Sequence, residues 1–162
     1  MDGMLEVLRL INALREVKGR KKLQKIVHIL QSRGYNFPHY FGYLHYGPYS
    51  SSLAAEVNAL VSCNLVSENG TGEEYEPFIY KPEETARVLL QDLNITGKPP
   101  WLPLARYLNA KDANYLEAMS TVLYLKSNNF TGKALKERFS KLKPNLKRYY
   151  EDALKEAASL PK

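Results

Sequence analysis

The sequence predicts a mainly α-helical chain with a small antiparallel β-sheet, an α+β fold in which a winged helix-turn-helix over residues 1–82 precedes a C-terminal helical part over residues 83–162 packed on it. Three observations lead there. Apolar residues recur three and four apart in two N-terminal segments, the spacing of amphipathic helices. The run Phe41–Tyr46 is followed by Gly47-Pro48 and then by Ser50, Ser51 and Ser52, which reads as strand, break and helix cap. Finally, two short apolar runs flank Asn69-Gly70, a hairpin signal that gives the wing.

Leu5, Leu8, Ile11, Leu14 and Val17 set the first helix, from about residue 2 to 17, and Gly19 breaks it. Leu23, Ile26, Val27 and Leu30 give the second its buried stripe, and Gly34 suits a left-handed helix end. At 100° per residue, Lys18, Lys21, Lys22 and Lys25 fall opposite that stripe, which predicts a coherent basic side. The third helix is capped by Ser50 or Ser51 and buries Leu53, Val57, Leu60 and Val61. It carries no Lys or Arg. Strands are predicted at Leu65–Glu68 and Phe78–Lys81, joined by a segment with Glu73, Glu74 and Glu76.

After Pro82 a helix runs from about Glu83 to Leu93, and Thr96-Gly97-Lys98-Pro99-Pro100 is the one internal linker. Leu102–Leu108 forms a short helix. Asp112–Lys126 is apolar almost all round and should be a core helix. Thr131 can cap a helix bearing Leu135, Phe139 and Leu142, and Pro144 suits the first position of a last helix.

Composition is that of a globular chain of 162 residues with formal net charge +6. Lys and Arg outnumber Asp and Glu by 8 to 5 in residues 1–70 and by 12 to 6 in residues 101–162, but are outnumbered 3 to 6 in residues 71–100. A basic balance suits nucleic acid, an acidic protein partner or plain solubility, and only clustering on one face distinguishes them. The single Cys63, set in an apolar helix, forms no internal disulfide and fits a reducing compartment. No run approaches about 18 apolar residues, and the N-terminus lacks the order of a signal peptide, so no membrane partner is expected and the expected location is cytoplasmic.

Chemistry has little to work with. There is no Gly-rich phosphate loop, no Gly-x-Ser-x-Gly and no His-Glu-x-x-His, so neither an enzyme nor a cofactor is expected. His28, His39, His45 and Cys63 match no common metal-ligand spacing. Recognition is the better prospect. On the third helix, Ser51, Ser52, Ala55, Asn58 and Ser62 form a flat, uncharged face that either contacts bases or packs on the C-terminal helices or a partner. Lys18, Arg20, Lys21, Lys22 and Lys25 are candidate phosphate contacts, or a solvated face. The same solvated reading covers Lys133, Lys136, Lys141, Lys143, Lys147 and Arg148. Tyr40, Tyr43, Tyr46 and Tyr49 offer an aromatic surface for stacking or a partner groove, although such residues more often fill a core.

Lys22-Leu23-Gln24-Lys25-Ile26-Val27, Phe41–Tyr46, Gly47-Pro48-Tyr49-Ser50, Leu53, Leu60 and Leu65-Val66 resemble the YwgA-type proteins and the related Panacea and SocA-like antitoxin domains. Val122-Leu123-Tyr124-Leu125 and Leu142-Lys143-Pro144 extend the resemblance to the YwgA type. It implies a small non-enzymatic, helix-rich protein. For the Panacea relatives it implies neutralising a toxin by binding it, and for the SocA-like ones delivering that toxin to a protease. Two functions therefore stand at this point: an antitoxin-like interaction module binding a protein partner, or a DNA-binding transcriptional regulator with its basic second helix on phosphates and its third helix in the major groove. Self-association into a homodimer is a third use for the apolar surface.

Overall fold

The computed structural model describes residues 2–160. It is mainly helical with a small antiparallel sheet. Helix α1 (Asp2–Leu14) ends where Arg15 turns into the left-handed region at φ 69°, shorter than its apolar spacing predicts. Val17 and Lys18 then form a two-residue strand, β1, and Gly19 at φ 99° turns the chain into α2 (Arg20–Ser32). Lys18 is thus on a strand, not on the second helix. Val17 pairs with Tyr80 and Lys18 with Ile79, so β1 joins β4 (Val66–Asn69) and β5 (Ile79–Pro82) in an antiparallel sheet of order β1-β5-β4.

Between α2 and α3 (Ser51–Ser62) lies a second small sheet. Gly47-Pro48 does not simply stop the aromatic strand: β2 (Gly42–Leu44) turns through His45-Tyr46 and returns as β3 (Gly47–Tyr49), pairing Leu44 with Gly47 and Gly42 with Tyr49. Pro48 is tolerated because this ribbon has only two strands. Ser50 then caps α3 through its hydroxyl, which accepts from the Leu53 N–H at 3.2 Å.

The remaining helices are α4 (Glu84–Asp92), α5 (Leu102–Asn109), α6 (Ala113–Ser127), α7 (Gly132–Leu142) and α8 (Tyr150–Ser159). Asp112 caps α6 by accepting from the Asn114 and Tyr115 N–H groups, whereas the Thr131 side chain makes no capping bond to α7. Pro144 opens a 3-10 helix, Pro144–Tyr149, which leads into α8. The core runs continuously from Val7, Ile11 and Leu30 through Trp101 and Leu108 to Met119, Val122 and Phe139. Helix α6 occupies its middle, buried on every side from Leu116 to Leu123, and both α2 and α8 lie along it.

Gly47 shows how tightly β3 meets α6. Its φ is +89°, and a Cβ there would sit 3.2 Å from Thr121 Oγ1 and 3.3 Å from Glu117 Cγ. Gly47→Ala is therefore expected to cost roughly 2 kcal/mol, combining a positive φ with a crowded contact. Urea denaturation checks this, and a loss no larger than that of Gly42→Ala, where the Cβ position is open, refutes it.

Candidate functional site

Helix α3 buries Leu53, Val57 and Leu60 and packs on α1 and β4. The C-terminal helices do not cover it. Ser51, Ser52, Ala55, Asn58 and Ser62 are all exposed, so the flat face predicted from the sequence is a free surface within this chain. Glu56, the helix's one charged residue, is turned aside: its Oε1 lies 2.5 Å from Nε2 of His39, whose side chain is buried. Beside the face a pocket of about 180 Å³ opens between α3, α2 and β5. Leu53, Val57, Tyr49 and Leu23 give it apolar walls, and Arg20 and Asn58 stand among its polar lining. Arg20 is held over the Phe78 ring at 4.2 Å.

The five predicted phosphate contacts divide. Lys18 and Arg20 are exposed, with Lys18 3.8 Å from Glu16. Lys21, Lys22 and Lys25 do not form an exposed basic side. Lys22 donates to the Asn109 carbonyl at 3.1 Å, which ties α2 to the end of α5, and burial pulls its pKa down. Lys25 is 1% exposed and donates to the Pro48 carbonyl at 2.7 Å. Lys21 lies 2.6 Å from Glu117 Oε1 and from Asn114 Oδ1. The helical wheel is correct about angle, but the side opposite the apolar stripe faces α6 instead of water.

Glu117 is the centre of that contact, and sequence reasoning missed it. Its second oxygen takes Lys143 at 2.7 Å, and Lys143, expected on a solvated face, is 5% exposed and also donates to the His45 carbonyl. Burial pushes the Glu117 carboxyl up, but hydrogen bonds and charge from Lys143 and Lys21 outweigh it and hold the group below the usual carboxylate range. Lys25 shows the opposite balance. Burial, with Lys21 and Lys143 nearby, outweighs the attraction of Glu117 and lowers it to about 7. The Tyr43 hydroxyl and Thr121 Oγ1 are buried in the same region without hydrogen-bond partners. The signal for this cluster was a single carboxylate in a helix otherwise apolar all round, since a buried charge needs partners.

The aromatic candidates separate too. Tyr40 and Tyr46 are 84% and 70% exposed, and Leu44 beside them 56%. They do not fill the core; Phe37 does. Tyr43 is half-buried, 5.5 Å from the Tyr124 ring, and Tyr49 lines the pocket at α3. His28 is buried with Nδ1 2.6 Å from Ser120 Oγ, and burial lowers its pKa to about 3. Cys63 is not inside an apolar helix but exposed at the C-cap of α3. Among the described residues no three His, Cys, Asp or Glu are grouped to hold a metal, and no helix is long and apolar enough to cross a membrane.

These features define a mainly helical α+β protein with an uncovered helix face that bears no charge, beside a small pocket with apolar walls. The chain is YwgA-like: it is similar to YwgA of Bacillus subtilis, a protein described only as uncharacterized, with 32% identity over 114 residues, 67% of this chain and 66% of that protein. The match thus spans just under two thirds of YwgA's length. Neither a protein-family model nor a solved structure matches the chain.

Proposed function

We propose that the chain is a non-enzymatic, winged-helix interaction module that binds a protein partner through α3 and the pocket beside it. The element order α1-β1-α2-α3-β4-β5, with β1 added to the β4-β5 hairpin, supports the winged-helix reading. One observation carries the choice of partner. The exposed α3 face bears no charge and adjoins a pocket with apolar walls, while Lys21, Lys22 and Lys25 are spent on contacts inside the chain. A phosphate backbone would meet only Lys18 and Arg20 of the five predicted cations and would be repelled by exposed Glu73, Glu74 and Glu76 on the wing. A partner side chain entering the pocket past Asn58, with Ser51 and Ala55 exposed on the same helix, is the arrangement of a small interface anchor. An antitoxin-like role for this surface rests on the family resemblance.

A photo-crosslinking amino acid at Asn58, in the native host, tests the proposal. The expected result is one discrete protein adduct that disappears when Ala55→Glu is added. Crosslinking to DNA, or retention of host DNA fragments at low salt that depends on Lys18 and Arg20, would replace this reading with the DNA-binding regulator.

A further inference from the structure

A second cavity, of about 290 Å³, lies between α1, α4 and the segment Ile95–Pro99, and it shares no lining residue with the pocket at α3. Its chemistry is one-sided. Arg9, Arg87 and Lys98 line it, and no carboxylate does. Glu6 and Glu84 are the acids that touch those arginines: Arg9 Nη1 reaches Glu6 at a long 3.4 Å, whereas Arg87 donates from Nε and Nη2 to Glu84 and from Nη1 to Gln91. Arg9 Nη2 donates to the Gly97 carbonyl at 3.0 Å, while its Nε is buried with no partner. A buried guanidinium N–H left unmade is costly and marks a place where an acceptor would be gained. Lys98 has no ion-pair partner among the described residues. The N–H groups of Thr96, Gly97 and Lys98, on an exposed segment, donate to no backbone carbonyl among the described residues. Leu90, Ile95 and Pro99 supply apolar lining.

We infer that this cavity binds a small organic anion, its carboxylate or phosphate held by Arg9 and Lys98, with Arg87 beside them already paired to Glu84, and its apolar body resting on Leu90, Ile95 and Pro99. Guanidinium groups suit both kinds of oxyanion because their N–H donors match two oxygens at once. The volume is at the small end of ligand sites, which run from about 300 to 1,000 Å³. It suits a ligand of one ring or a short chain. The linker that forms one wall carries no part of the α3 surface, so this site stands or falls independently of the proposed partner.

Calorimetry on the full chain with benzoate, phenyl phosphate, inorganic phosphate and benzamide separates the alternatives. Benzoate or phenyl phosphate should bind, with inorganic phosphate weaker than phenyl phosphate and benzamide weaker than benzoate. Preference between the first two identifies the head group. Lys98→Ala, on an exposed loop, and Arg9→Gln should each weaken the preferred probe by about tenfold, the loss expected of one charge-assisted contact. Lys98→Ala keeps the test open if Arg9→Gln fails to fold. The proposal is overturned if no anion binds at concentrations up to about 10 mM. Equal binding of benzamide and benzoate, or unchanged affinity in Lys98→Ala, also overturns it.

Discussion

Replacing Glu117 with glutamine is expected to lower the unfolding free energy by about 3–5 kcal/mol, the usual loss when one partner of a buried ionic cluster is removed. The side chain is almost isosteric, so the effect comes from the lost charge together with one acceptor oxygen becoming an N–H donor that faces a lysine. In the native chain one buried carboxylate faces Lys21 at 2.6 Å and Lys143 at 2.7 Å, with Lys25 as a further neighbour. Without the carboxylate Lys21 and Lys143 share a poorly solvated space and repel each other, while Lys25, already lowered to about 7 with Glu117 present, is driven further towards its neutral form. Truncation to alanine would add a cavity to the same electrostatic loss. The damage should also be local. Lys143 and Lys25 hold the β2–β3 hairpin through the carbonyls of His45 and Pro48, so amide exchange at Leu44–Tyr49 should accelerate before global unfolding. Adding Lys25→Met to Glu117→Gln should recover part of the loss in acidic solution, where the Lys25 amine still carries its proton. A decrease below about 1 kcal/mol in urea titration, the range of exposed ion pairs, would mean that the cluster is effectively solvated.

The elements were largely legible because most follow from local spacing. Ser50 capping α3, Asp112 starting α6 and the stripe Leu23-Ile26-Val27-Leu30 each depend on residues a turn apart. What escaped depends on distant neighbours. Strand β1 is only Val17-Lys18, too short for any alternation, and exists because β5 lies beside it. The return strand Gly47–Tyr49 was hidden by Gly-Pro, a pair that ordinarily breaks structure, whereas here Gly47 supplies the positive φ and close approach that a ribbon packed on α6 requires. The site divides on the same line. The open α3 face could be drawn from one helix, although whether the C-terminal helices covered it could not. The fate of Lys21, Lys22 and Lys25 depended on α5 and α6, some 90 residues further along. Amphipathic spacing identifies the apolar side of a helix, but α2 is buried on both sides, and the amines of its second side are held by Glu117 and by the carbonyls of Asn109 and Pro48.

Lys25 makes that match pH-dependent, and Lys25→Met should flatten the dependence. In the unfolded chain the amine holds its proton to about 10.5, whereas in the folded chain it releases it at about 7. Between those values the unfolded state binds more protons, so stability rises with pH; below about 7 both states are protonated and the penalty of burying the charge is present in full. Two pH units inside the window correspond to roughly 2–3 kcal/mol for a single group. The window is bounded on both sides. Tyr43, Tyr80 and Tyr115 are pushed up by burial, so near pH 10 and above their ionisation in the unfolded chain lowers stability. Below about 6.5, His28 charges only in the unfolded chain until about pH 3, which also lowers stability as pH falls. Urea denaturation at pH 7, 8 and 9 therefore reads Lys25 with Lys22, whose amine is also lowered by burial. Wild type should gain stability across that series. Lys25→Met should lose most of the gain, and at pH 7 should be little destabilised, because it exchanges a hydrogen bond to Pro48 for relief from burying a charge. A slope unchanged in Lys25→Met would assign it to Lys22 and leave Lys25 protonated beside Glu117 throughout.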